Sequence, residues 1–162
     1  MLPEPLQSLP VPAALEAWDP QAITGGSLDL GETLLWVAPE KLVPVCLQLR
    51  DNLGFERLCG VTAIDRYPME PRFEAVYFVH SISRNTRLKL KVALPGADPA
   101  VESVTSVWPG ANWYEREAFD LFGIRFEGHP NLKRIMLPDS WEGHPLRRDF
   151  PTDGYRYGYQ NE

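Results

Sequence analysis

The stretch TRLKLKVALPG, residues 86–96, alternates without a break, with Leu88, Leu90 and Val92 on one side of an extended chain and Lys89 and Lys91 on the other. Alternate side chains of a strand share a face, so the pattern describes a sheet with one face on a core and one face in water. Two strand-like runs precede it, ERLCGVTAID (56–65) and RFEAVYFVHSIS (72–83), separated by RYPMEP, whose two prolines end the first. Earlier still, GGSLDLGETLLWVAP (25–39) reads as two short strands joined by a glycine-containing turn. Between these runs, PEKLVPVCLQLRDNLG (39–54) places Leu42, Cys46, Leu49 and Leu53 on one helical stripe, with Pro44 forcing a kink or a late start. Strands in consecutive runs with segregated helices predict an α+β fold, a largely antiparallel sheet packed on helices.

A chain of 162 residues, 44% hydrophobic and 23% charged, has the size of one domain with its own core. Its net charge of -6 argues against a nucleic-acid partner, which needs a surplus of Lys and Arg on one face. The first basic residue, Lys41, follows Glu4, Glu16, Asp19, Asp29, Glu32 and Glu40, so no secretory or transit signal is read at the start. No apolar run approaches the roughly 20 residues that span a bilayer. Cys46 and Cys59 read as buried thiols, and an iron–sulfur cluster held by four thiolates is beyond this chain alone.

The proline-rich residues 1–12 read as an extended, flexible lead-in, residues 13–123 as the α+β domain, and residues 124–162 as an extended docking segment. AALEAW (13–18) is a short helix candidate, and residues 101–123 read as helical in two pieces broken by Trp-Pro-Gly at 108–110. In NWYEREAFDLFG (112–123), Asn112 and Glu115 have capping-box spacing and Gly123 is the stop. Tyr114, Ala118, Leu121 and Phe122 make the expected core face; Trp113, Arg116, Glu117 and Asp120 share another. Charges there describe a solvated face, but a Trp among them describes an interface.

After Gly123 the tetrapeptide Glu-Gly-His-Pro occurs twice, at 127–130 and 142–145. Prolines 130, 138, 145 and 151 forbid a long helix or central strand, so this segment runs over a surface, its own or a partner's. With Glu127, Glu142 or Asp149, His129 and His144 allow a metal site on paper, but neither has a second ligand at helical or Cys-x-x-Cys spacing. No nucleotide-binding, zinc-protease or triad motif accompanies them. Gly128 and Gly143 permit an unusual backbone angle and Pro130 and Pro145 fix the exit, which suits each imidazole to donate to a fixed acceptor. Arg134, Arg147 and Arg148 are positioned to pair with Asp149 or the acids of 115–120. In the ending TDGYRYGYQNE, Tyr155, Tyr157 and Tyr159 recur at period two, a pattern suited to docking one-sided rings on a partner.

YEREAFDLFGIRFEGHPNLKRIMLPDSWEGHPLRRDFP closely resembles the signature of NuoC, the C subunit of the respiratory NADH:quinone oxidoreductase, complex I. The likeness is close over residues 113–151 and looser back to residue 13. It rests on Trp113, Glu115, Arg116, Glu117, Asp120, Gly123, Gly128, His129, Pro130, Arg134, Gly143, His144, Pro145, Arg147 and Asp149. The resemblance implies a mixed sheet of about five strands and a cofactor-free scaffold subunit of the peripheral arm. NADH, FMN, iron–sulfur clusters and quinone would belong to the complex as a whole. It further implies a separate polypeptide on the cytoplasmic face of a bacterial inner membrane, packed mainly on the D subunit of complex I with the B subunit nearby, and no catalytic site of its own. Ferredoxin-linked relatives and membrane-bound nickel–iron hydrogenases use similar subunits, and a metal-dependent enzyme using the two histidines is the reading of a different class.

Overall fold

In a computed structural model, which describes residues 2–151, the strands form one mixed sheet of five in the order β1-β2-β5-β4-β3. They are β1 (Ile23–Asp29), β2 (Glu32–Val37), β3 (Arg57–Asp65), β4 (Phe73–Ser81) and β5 (Thr86–Leu94). Every pairing is antiparallel except β2 with β5, which run side by side in the same direction. A parallel pair needs a long crossover, here α3 (Leu42–Asp51), β3 and β4. The β1–β2 turn places Leu30 and Gly31 at φ 50° and 80°, the left-handed pair that matches strand twist in a two-residue hairpin.

The alternation of β5 holds: Leu88, Leu90, Val92 and Leu94 are buried, while Lys91 on the open face bonds Glu74 at 2.9 Å and lies 5.2 Å over the Trp36 ring. Helix α3 starts late, after a 3-10 turn at Pro39–Lys41, which leaves Pro44 in the first turn where its missing N–H is harmless. Leu42, Val45, Cys46 and Leu49 face the core.

Four details differ from the expectations above. The lead-in is not extended: α1 (Glu4–Gln7) and α2 (Pro10–Trp18) begin with proline in the first turn, and Leu2, Leu6, Val11 and Leu15 are buried, because their leucines complete the core over β1. Residues 101–123 are not two helices; β6 (Ala100–Glu102) instead pairs in parallel with β7 (Arg125–Glu127), which buries Val101 and Phe126. Only α4 (Ala111–Phe122) is helical there. Its N-cap is Gly110, without a side-chain bond, so Asn112 caps nothing. Finally, Cys59 is exposed while Cys46 is buried, because Cys59 lies where a register shift in β3 disturbs the alternation.

Candidate functional site

Helix α4 packs against β3 through Ala111, Glu115, Ala118 and Phe122, a face rotated from the one its apolar residues predict. Tyr114 is exposed instead, because the position facing the core is taken by a carboxylate that is itself satisfied. Glu115 is fully buried and accepts from Ser103 Oγ at 2.6 Å and from the Val104 N–H at 2.8 Å. It thereby ties the β6–α4 connection to the middle of the helix. Burial pushes its pKa up to about 7, against the opposing pull of those two bonds. Its charge in turn adds to the burial that raises Tyr77 and Cys46 on neighbouring elements.

Asp120 is the second buried carboxylate of α4. Arg134 Nη1 donates to Oδ1 at 2.6 Å, and the N–H groups of Ile135, Met136 and Leu137 converge on Oδ2 at 2.9, 2.7 and 2.9 Å. Burial alone would raise this group, but the arginine and the three backbone donors together hold it below the ordinary carboxylate range. Arg134 continues to the Asp120 and Gly143 carbonyls. The proline-rich segment is therefore wound round α4 and pinned to it, and the surface it crosses is this chain's own.

The last carbonyls of any helix lack intrahelical donors. In α4 each receives one from further along the chain: His144 Nδ1 donates to the Asp120 carbonyl at 2.8 Å, the Leu146 N–H to Leu121 at 3.1 Å and Arg147 Nε to Phe122 at 2.6 Å. Gly123 closes the helix at φ 75°, and a Cβ there would lie 2.5 Å from Arg147 and 2.6 Å from His144. His129 serves the other end of the helix: Asn131 N–H donates to Nδ1 at 3.0 Å, which leaves Nε2 as donor to the Asn112 carbonyl at 3.2 Å. Gly128 and Gly143 both have positive φ, 75° and 78°. The repeat is thus two imidazole clips on opposite ends of one helix, and the two rings do not share a site. Among the described residues no group of three His, Cys, Asp or Glu is arranged to hold a metal.

Beyond the clips the segment is fastened to the sheet. Asp65 accepts from Arg72 at 2.9 and 2.8 Å, from the Tyr67 N–H at 2.9 Å and from the Arg148 N–H at 2.8 Å. Burial opposes ionisation here, but these donors win and hold Asp65 at about 2. Arg72 also reaches Asp149 with both Nη atoms, at 2.9 and 2.5 Å. The expected pairing of Asp149 with Arg147 or Arg148 is replaced by this one, because Arg147 is committed to the helix end and to the Phe73 ring, 5.1 Å away. Asp65, Arg72 and Ser103 were not singled out by sequence reasoning; the charges flanking RYPMEP were the available signal.

Other signature residues face outward. Trp113 is 61% exposed and carries Arg116 at 5.3 Å over its ring, while Arg116 donates to the Lys133 and Arg134 carbonyls. Glu117 and Pro130 are exposed and Pro145 is half-buried. Trp113, Tyr114, Glu117 and Leu121 share one helical face, which Leu146, 52% exposed, continues past the helix end. Tyr155, Tyr157 and Tyr159 lie outside the described residues.

A family profile, Respiratory-chain NADH dehydrogenase, 30 Kd subunit, matches residues 35–156. The chain belongs to that family. It is 49% identical over 142 residues to the NADH-quinone oxidoreductase C subunit of Roseiflexus sp. (strain RS-1), covering 85% of this chain and 80% of that one. Against the C subunit of Geobacter sulfurreducens it is 46% identical over 125 residues, 76% of this chain and 77% of the other. Among solved structures it is similar to a trypsin-resistant fragment of Nqo5, with a TM-score of 0.65, 31% identity and coverage of 74% and 97%. A chain of an archaeal membrane-bound sulfane sulfur reductase superposes with a TM-score of 0.74 at 25% identity, covering 86% and 83%. In this 30 Kd subunit family member, no helix of the described residues is long and apolar enough to cross a membrane.

Proposed function

We propose that the chain is a structural subunit of the peripheral arm of an NADH:quinone oxidoreductase, docked mainly on the large D subunit with the B subunit nearby, and that it supports electron transfer without carrying redox groups. The observation behind the docking assignment is the outward stripe of Trp113, Tyr114, Glu117 and Leu146 on a helix immobilised at both ends. Trp and Arg anchored on a rigid element are the residue types that dominate interface energetics. Signature residues divide accordingly: Asp120, Arg134, His144, Arg147 and Asp149 hold the helix and its strap, and Trp113 and Glu117 meet the partner.

The test is to compare Trp113→Ala/Leu146→Asp with the parent chain. Thermal melts of the free chain should coincide, while co-purification with the large partner falls at least about ten-fold, the loss of roughly 1.4 kcal/mol or more expected of an interface anchor. Full retention in the complex would remove the stripe from the interface. The likeness to the sulfane sulfur reductase chain keeps a second parent in view, a respiratory complex of different chemistry. The activity of the purified complex tells the two apart: NADH oxidation coupled to quinone reduction marks the first parent, and reduction of sulfane sulfur marks the second.

A further inference from the structure

The sheet's open face carries a groove of about 530 Å³ whose lining includes Arg57, Cys59, Phe78, His80, Arg87 and Lys89. Arg57, His80 and Arg87 stand in register across β3, β4 and β5, so three basic side chains sit side by side with strand spacings of about 4.8 Å. Glu32 also lines the groove, where it neutralises Lys89 and lies within electrostatic reach of Arg87 without an ion-pair contact to it. Arg57 and Arg87, and Arg84 in the adjoining turn, make no ion pair among the described residues, whereas Arg66, Arg72, Lys91 and Arg134 are all spent on carboxylates of this chain. His80 Nε2 is buried without a hydrogen-bond partner, a condition that buried polar atoms rarely keep. Unpaired cations and an orphaned imidazole nitrogen thus converge at one groove of a chain whose net charge is -6.

We infer that this groove is a second docking site, and that its occupant is an acidic segment of a neighbouring subunit, a carboxylate of which lies between Arg57 and Arg87 and accepts from His80 Nε2. Two guanidinium groups bind a carboxylate through paired N–H donors, and Phe78 offers apolar floor for the flanking chain. On an acidic protein such a patch also selects register, since an acidic partner is repelled elsewhere. The inference rests on the subunit reading above but uses the open sheet face, not the stripe on α4.

Cys59 reports on the groove. It is exposed there, and the only other cysteine, Cys46, is fully buried. Alkylation by N-ethylmaleimide, read by mass spectrometry, is compared between the free full-length chain and the purified complex that contains it. The expected result is a rate at least about ten-fold slower in the complex, restored to that of the free chain by Arg57→Glu/Arg87→Glu while the variant remains bound through its other face. Equal rates in the complex and the free chain overturn the inference. Protection of the free chain by inorganic phosphate, with no protection in the complex, overturns it too, in favour of a small-anion site. A complex that lacks this chain altogether fails the subunit reading instead, and is distinguishable because no peptide of the chain is then recovered.

Discussion

His144 Nδ1 donates to the carbonyl of Asp120 across 2.8 Å, and this one bond joins the second Glu-Gly-His-Pro to the end of the helix that lies 24 residues earlier. The bond requires a proton on Nδ1, and burial, reinforced by Arg147 and Arg134, lowers His144 toward the neutral ring against the pull of the Asp120 carbonyl. His144→Ala leaves a half-buried carbonyl without its donor and should lower unfolding free energy by about 1–3 kcal/mol in urea titrations. His144→Asn, whose amide N–H can stand where Nδ1 stood, should recover part of that loss. Equal losses in the two variants would sink the clip.

Gly123→Ala combines a left-handed backbone with a Cβ at 2.5 Å from Arg147 and 2.6 Å from His144. The strained backbone costs about 1–2 kcal/mol by itself, and the side chains that cap the helix must also move. The expected loss in thermal or chemical melts therefore exceeds that of Gly110→Ala, at a glycine with open space around it and an ordinary helical φ of -63°. Similar losses at both positions would refute the close approach.

Asp120→Asn keeps the shape but removes the charge that Arg134 faces and places an amide N–H against donors. Breaking one partner of a buried pair typically costs about 3–5 kcal/mol. A loss in that range by denaturant unfolding, smaller when Arg134→Met is added, is the expected outcome. Strictly additive losses would show that the pair is not coupled.

Glu115 has an ordinary value of 4.5 and is raised to about 7 by burial. The folded chain then binds a proton that the unfolded chain has released, so the contribution of Glu115 to stability is fully present below pH 4.5 and declines as pH rises to about 7. The decline is about 3 kcal/mol from this group. Glu115→Gln should flatten that slope and leave the variant the more stable chain at pH 8, read from melts across the range. A parent chain without the slope would count against the buried acid.

Asp65 behaves in the opposite sense. Its value falls from 3.8 to about 2, so its stabilisation is fully present above about pH 4 and is lost as pH drops toward 2. Asp65→Asn should remove about 2 kcal/mol at neutral pH and shrink the acid-unfolding transition relative to the parent. An unchanged acid limb would mean that the clamp with Arg72 and Arg148 is not formed in solution.

The sequence by itself determined the strands and the helix ends that local chemistry dictates. Leu88, Leu90 and Val92 alternate because a pleat has period two, Gly123 stops α4 because only glycine takes φ 75° without strain, and the 113–151 signature identifies the family. Tertiary structure alone decided what the carboxylates of α4 do. A helical pattern reads Asp120 as solvated and Tyr114 as core, since charge usually seeks water; in the fold Asp120 is buried and Tyr114 exposed. The donors that reverse this are three backbone N–H groups and one guanidinium from residues 134–137. Backbone donors are the same in every non-proline residue, so no spacing in the chain announces where they will converge.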